Sequence, residues 1–175
     1  MQYLLITFLI FMLLLAIFYV ILGLYFLRDC FFGLPYVGTK KEIIDTMLSM
    51  AKVKPGEKAI DIGSGDGRLV IALAQAGTEA HGVEINPWLV WYSRWQIARH
   101  GLKGKAFIHR KSLWDQDYSD FTLVTVYALP GIMNKLEGKL HKELPPHARI
   151  VSNGFTFPTW KEKINNSGTR LYTNT

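Results

Sequence analysis

A single cysteine, Cys30, stands in a chain of 175 residues, which excludes an internal disulfide framework and any thiolate cluster around a metal. Beside an apolar segment it reads as a small packing residue at the membrane edge. Charge is absent from one whole region: all 20 basic and all 14 acidic residues lie at Arg28 or later. That confinement excludes a polytopic membrane protein, because the rest of the chain has the mixed composition of a soluble globular domain. The length allows one such domain and not two with separate cores. Histidine does not make good the shortage of cysteine. His81, His100, His109, His141 and His147 are spread without ligand spacing, so no metal is expected.

What the first region does have is apolar length, with residues 3–27 running 25 positions without a charge. As a helix rising about 1.5 Å per residue, that run exceeds a hydrocarbon core of roughly 30 Å and can span it with tilt. A cleaved signal peptide would show a basic start, an apolar stretch of about 7 to 15 residues and a small-residue cleavage site. None of these is seen. Tyr3 at one end and Tyr25, Phe26, Phe31 and Phe32 at the other suit interfacial anchoring. Arg28, Lys40, Lys41, Lys52 and Lys54 follow the run and no basic residue precedes it. The bias predicts a single-pass anchor with the globular part on the cytoplasmic side or its organellar equivalent. The expected division is an anchor over 1–30, a linker and helix over 31–57 and a domain over 58–175. Net charge is +6 and the pI about 9.4. The lipid bilayer is the expected partner of the lysines near the anchor; nucleic acid is not expected, since no nucleic-acid-binding module is visible.

After a Gly33-Leu34-Pro35 break, Thr39 and Glu42 have capping-box spacing and predict a helix from about Lys40, with Ile43, Ile44, Met47, Leu48 and Ala51 on one face. Strands are predicted over 58–62, 80–85, 105–109, 121–127 and 148–155, and helices over 68–76, 87–100 and 132–144. Alternating strands and helices predict an α/β fold, a Rossmann-like doubly wound and mostly parallel sheet. The residues after Phe155 leave room for one short hairpin.

The chemistry concentrates in Asp61-Ile-Gly63-Ser-Gly65-Asp66-Gly67-Arg68, where a strand ends and a helix opens. Glycines there let the backbone turn sharply and approach a ligand. Glu84 closes the next strand, where a carboxylate can accept bonds from both hydroxyls of a ribose. A dinucleotide fingerprint needs a third glycine at position 68, which is arginine; the third glycine comes one place early, at Gly67. NAD is thereby disfavoured, and an acidic loop suits a cationic ligand better than a pyrophosphate.

The loop resembles the cofactor loop of class I S-adenosylmethionine-dependent methyltransferases. Pro35-Tyr36-Val37, the 61–68 loop, Asn86-Pro-Trp88-Leu-Val-Trp-Tyr-Ser-Arg94, Leu113-Trp114 and Leu129-Pro130 together resemble a narrower family. It comprises the membrane-anchored protein-lysine methyltransferases of mitochondria, which act on the c-ring protein of ATP synthase and the adenine nucleotide translocase, and their prokaryotic relatives. By that resemblance the cofactor is S-adenosyl-L-methionine. Asp61, Gly63, Gly65 and Gly67 line its methionine part, Asp66 counts among the cofactor-binding residues, Glu84 holds the ribose, Asn86 and Trp88 border the adenosine, and Ser112, Leu113 and Trp114 enclose the adenine. Ser112 stands where relatives commonly have an acidic residue, and Gly38 where they tend to have proline. Tyr127-Ala-Leu-Pro130 replaces the Asn/Asp-Pro-Pro-Tyr motif of enzymes acting on planar amides and base amines. Methyl transfer from a sulfonium needs alignment and exclusion of water, with no obligatory nucleophile on the protein. Tyr36, Tyr127 and Pro130 are the candidates for an acceptor channel, in which an aromatic face also steadies a cation.

The expected activity is protein-lysine N-methylation of a membrane protein. Methylation of a lipid or quinone-like molecule, and a catalytically inactive cofactor-binding scaffold, stay open. Two further patterns carry structural expectations: Trp91 and Trp95, four apart, are expected to pack on the sheet, and Glu137 and His141 to form an exposed pair.

Overall fold

The computed structural model describes residues 2–32, 38–127 and 130–174, apart from the side chains of residues 26–32 and 130. It contains two compact units, Met1–Pro35 and Tyr36–Thr175. The described residues of the first form one helix, α1 (Gln2–Phe32). Its Gln2–Tyr25 part has a mean hydropathy of 3.1 and none of it is buried, as in a helix apolar on every side. By length and composition it is long enough to cross a membrane.

The second unit runs α2 (Lys41–Ala51), β1 (Lys58–Ile62), α3 (Arg68–Gln75), β2 (Glu79–Glu84), α4 (Pro87–Arg99), β3 (Ala106–Arg110), β4 (Leu123–Val126), α5 (Pro130–Glu143), β5 (Arg149–Asn153), β6 (Ile164–Asn166) and β7 (Thr169–Thr173). The strands form one sheet in the order β3-β2-β1-β4-β5-β7-β6. β1 to β5 are parallel, and β7 runs antiparallel to both its neighbours. β1 and β4 lie at the centre because their side chains are apolar on both faces: Ile60, Ile62, Leu123, Val124 and Val126 are fully buried. Chain order reverses between β1 and β4, and in open parallel sheets ligands bind outside the strand carboxyl ends at such a reversal. The expected doubly wound fold and terminal hairpin are both present. Ser167 and Gly168 close that hairpin with φ of 49° and 90°, the doubly left-handed conformation of a two-residue turn.

Three local expectations need correction. The N-cap of α2 is Lys40, with no side-chain cap, so Thr39 and Glu42 form no capping box. Thr39 instead offers its carbonyl to Arg68 Nη1 at 2.9 Å, a bond that ties this segment to the glycine loop. On α4 the aromatic face points outward: Trp91 is 64% and Trp95 42% exposed, and Val90, Ser93 and Ile97 face the sheet. A small inward residue is required there, since a Cβ on Gly67 would already stand 2.7 Å from that of Ser93. Glu137 is buried, not exposed. Its carboxylate accepts the Thr159 and Trp160 backbone N–H groups at 3.0 and 2.6 Å, while His141 bonds Asn174 Oδ1 at 3.0 Å.

Candidate functional site

β1 ends in a turn that only glycines make without strain. Gly63, Gly65 and Gly67 have φ of 74°, 54° and 80°, in the left-handed region where a Cβ collides with the backbone. The loop is held onto β2 from below: the N–H groups of Gly63 and Ser64 both donate to the Val83 carbonyl at 3.0 Å. Glu84 secures the next turn. Its Oε2 accepts from Gly65 N–H at 3.0 Å and its Oε1 from Asn86 N–H at 2.8 Å, so one carboxylate joins the loop to the start of α4. Asn86 caps that helix, its Oδ1 accepting from the Trp88 and Leu89 N–H groups at 2.9 and 3.3 Å. Each Glu84 oxygen keeps a further lone pair for a ligand.

Asp61 is buried at the end of β1 and accepts a 2.7 Å hydrogen bond from Thr125 Oγ1 on β4. Burial pushes its carboxyl up to about 7; the Thr125 bond opposes the rise, and the negative charges of Glu84 and Asp66 add to it. A cation placed at this end of the sheet would restore the ionised form. Asp66 has a different setting. Both its oxygens engage the Arg68 guanidinium, at 2.6 to 3.0 Å, so its carboxylate shapes the loop by holding the loop's one basic residue. Two carboxylates, free-turning glycines and a basic residue held by Asp66 fit a cationic ligand with a vicinal diol, as S-adenosylmethionine is, and suit a phosphate poorly.

The other expected site residues are placed as follows. Trp88 follows the Asn86 cap and is 68% exposed. Ser112, Leu113 and Trp114 follow β3 in a turn where Ser112 Oγ accepts from Trp114 N–H at 3.3 Å, and the Lys135 ammonium lies 4.4 Å from the centre of the Trp114 ring. All three are half-buried. Tyr127 directly follows β4 and stacks on Phe155 at 6.5 Å, against Gly154, where a Cβ would come within 3.0 Å of the Tyr127 ring. Pro130 is the first residue of α5. Tyr36 lies outside the described residues. Sequence reasoning missed Thr125 and the bond from Arg68 to Thr39, because each joins residues brought together only by the sheet or by a distant segment.

Comparison with known proteins agrees with this arrangement. The family model of the ANTKMT methyltransferase domain matches residues 61–164. The chain is 42% identical over 127 residues to the human lysine N-methyltransferase named for the c-ring protein of ATP synthase, and the match takes in 73% of this chain and 54% of that protein. It thus spans about half the length of that relative. It is 36% identical over 131 residues to a protein-lysine N-methyltransferase of Saccharolobus islandicus, covering 74% of this chain and 81% of that one. Among solved structures, an RNA methyltransferase from Salinibacter ruber bound to S-adenosyl-L-homocysteine superposes with a TM-score of 0.74 and 33% identity, over 79% of this chain and 94% of that one. On these matches, over the residues that build the glycine loop and the strand ends around it, the chain belongs to the ANTKMT methyltransferase family.

Proposed function

We propose that the chain is a membrane-anchored, S-adenosylmethionine-dependent methyltransferase that modifies a lysine of a membrane protein. The observation that carries the reading is the convergence of Asp61 and Glu84 on a glycine loop at the carboxyl ends of β1 and β2, in a chain 42% identical to a lysine methyltransferase. Asp61 receives the cationic amino end of the cofactor and Glu84 its ribose. The backbone of Gly63, Gly65 and Gly67 lines the methionine part, Asn86 and Trp88 border the adenosine, and Ser112, Leu113 and Trp114 enclose the adenine. Asp66 acts through Arg68 by fixing the loop. When bound, S-adenosylmethionine supplies the methyl group and a positive sulfonium.

The chain's own work is then positioning. Tyr127, at the carboxyl end of β4, forms the acceptor channel with Tyr36 and Pro130. Its ring face receives the side chain of an amine substrate. A lysine with an ordinary pKa near 10.4 must arrive or become neutral, and burial beside positive charge favours loss of its proton. The helix Gln2–Tyr25 holds the domain at a bilayer in one pass, with the domain on the cytoplasmic or organellar-equivalent side. Tethering raises the effective concentration of membrane acceptors without altering the chemistry.

The description of the Salinibacter ruber relative as an RNA methyltransferase favours a second reading, with RNA as acceptor. Tyr127-Ala-Leu-Pro130 in place of an Asn/Asp-Pro-Pro-Tyr motif favours an amine instead. The test is incubation with radiolabelled S-adenosylmethionine and membranes from cells lacking the protein, followed by separation of protein, lipid and RNA. A labelled protein carrying methyl-lysine by mass spectrometry is expected; label confined to lipid or RNA refutes the proposal. A chain lacking residues 1–32 should bind the cofactor as before and label native membranes less.

A further inference from the structure

Beyond Trp88, the outward face of α4 is not explained by the cofactor site. Trp88, Trp91, Tyr92, Trp95 and Arg99 recur at helical spacing and form one exposed stripe, opposite the buried Val90, Ser93 and Ile97. Exposed aromatics in such a row are unusual on a soluble surface and mark a contact. Three of the chain's five tryptophans are here. The Arg99 guanidinium lies 4.7 Å over the Trp95 ring, and Tyr92 sits 5.7 Å from it, which makes a mixed aromatic and cationic layer.

The charge of this region is one-sided. Between Ile85 and Trp114 the sequence has six basic residues, Arg94, Arg99, Lys103, Lys105, Arg110 and Lys111, and no acidic one. The remaining 14 basic residues are matched by 14 acidic ones, so this stretch accounts for the whole net charge of +6. Between α4 and β3 lies an open groove of about 450 Å³, lined by Arg94, Lys103, Phe107 and His109 among others. Burial first, and then the neighbouring charges of His81, Lys111 and Arg94, hold the His109 imidazole below its ordinary range.

We infer that the face formed by α4 and β3 seats on an anionic membrane surface, with Trp91 and Trp95 at the headgroup boundary and the groove receiving a lipid phosphate. Trp and Tyr favour that boundary because a ring buries while its N–H or O–H stays wet. Basic residues near an anionic leaflet are drawn to it, and this stretch holds six with no acidic residue among them, which favours an anionic surface for a domain already tethered. The inference rests on the membrane-anchor reading for the presence of a bilayer, but the face makes its own contact, separate from the anchor's.

The test uses the full chain in phosphatidylcholine vesicles with or without phosphatidylglycerol, the acyl chains brominated near the headgroups. α1 contains no tryptophan, so tryptophan emission reports on the domain alone. The expected result is loss of about two fifths of the emission in anionic vesicles, as two of five rings reach the boundary, and much less in neutral ones. Equal emission in brominated and unbrominated anionic vesicles would overturn the proposal. Retention in the vesicles after alkaline carbonate washing scores the anchor separately, so a failed anchor is not mistaken for a failed face. The variant Trp91→Gln/Trp95→Gln/Lys103→Glu should keep cofactor affinity and carbonate resistance. It should methylate a bilayer-embedded acceptor several-fold more slowly and a detergent-solubilised one at the normal rate. An equal loss in detergent would mean that the face grips the acceptor protein itself, and binding of RNA lost in this variant without lipid quenching would assign the face to nucleic acid; either overturns the proposal.

Discussion

Asp61 gives the sharpest test of the site, because its burial makes cofactor affinity depend on pH where most carboxylates are silent. Its carboxyl titrates at about 7, chiefly through desolvation. If only the ionised form receives the cofactor's cationic end, the competent fraction is about nine tenths at pH 8 and about one tenth at pH 6, so affinity should fall about tenfold between them. Asp61→Asn preserves shape and can still accept the Thr125 bond, but holds no charge. The variant should bind on the order of 10- to 100-fold more weakly at pH 8, the worth of a charge-assisted bond, and should lack Asp61's tenfold pH dependence. Titration calorimetry from pH 6 to 8 on both proteins with one ligand removes the ligand's own ionisation from the comparison. Identical pH slopes in the two would refute the reasoning. The same group affects stability without ligand. The unfolded chain releases this proton near 3.8 while the folded chain keeps it to about 7, so between those values the folded form binds more protons and stability falls as pH rises. Unliganded Asp61→Asn should therefore melt higher than the parent at pH 8 and close to it at pH 4.

Three other substitutions probe the supports of the loop. Glu84→Ala removes the proposed ribose acceptor and frees the Gly65 and Asn86 N–H groups; calorimetry should show a loss of about 2 to 3 kcal/mol in cofactor binding, and hydrogen exchange at Gly65 should quicken. Gly67→Ala forces a side chain into φ 80° and within 2.7 Å of the Ser93 Cβ, so stability should drop by about 2 to 4 kcal/mol in thermal melts. Ser93→Gly should rescue it in part, by relieving the collision and not the dihedral, and Ser93→Ala, which keeps the Cβ, should not. Glu137→Ala leaves the Thr159 and Trp160 N–H groups without their acceptor, and urea unfolding should show a loss of about 3 kcal/mol, with Glu137→Gln losing less.

Legibility in the sequence followed the range of the forces involved. The strands and helices of the sheet could be read because their signals are local: apolar runs of four to six residues, Pro87 opening a helix after Asn86, Gly101 closing it. The glycine loop was legible for the same reason, since three glycines spaced by one residue state a backbone requirement directly, and the φ values of Gly63, Gly65 and Gly67 meet it. What could not be read depended on partners distant in the chain. Glu137 looks like a surface residue on a helix until the segment at Thr159 folds back over it, 22 residues later. The two scattered histidines His81 and His109 become neighbours at 2.9 Å only through the register of β2 on β3.

The aromatic helix shows how a periodicity argument can fail in direction while holding in period. Trp88, Trp91, Tyr92 and Trp95 do share one face, as their spacing requires, and hydrophobicity alone assigns that face to the core. Steric demand decides otherwise. Close packing of α4 against the glycine loop needs a small residue opposite Gly67, and Ser93 supplies it; a tryptophan there would force the loop off Glu84 and Val83. The cofactor loop and the outward aromatic stripe are therefore two consequences of one packing choice. Turning α4 by half a turn to bury its aromatics would destroy the site, so a tightly drawn glycine loop and an exposed tryptophan face come as a pair in this chain.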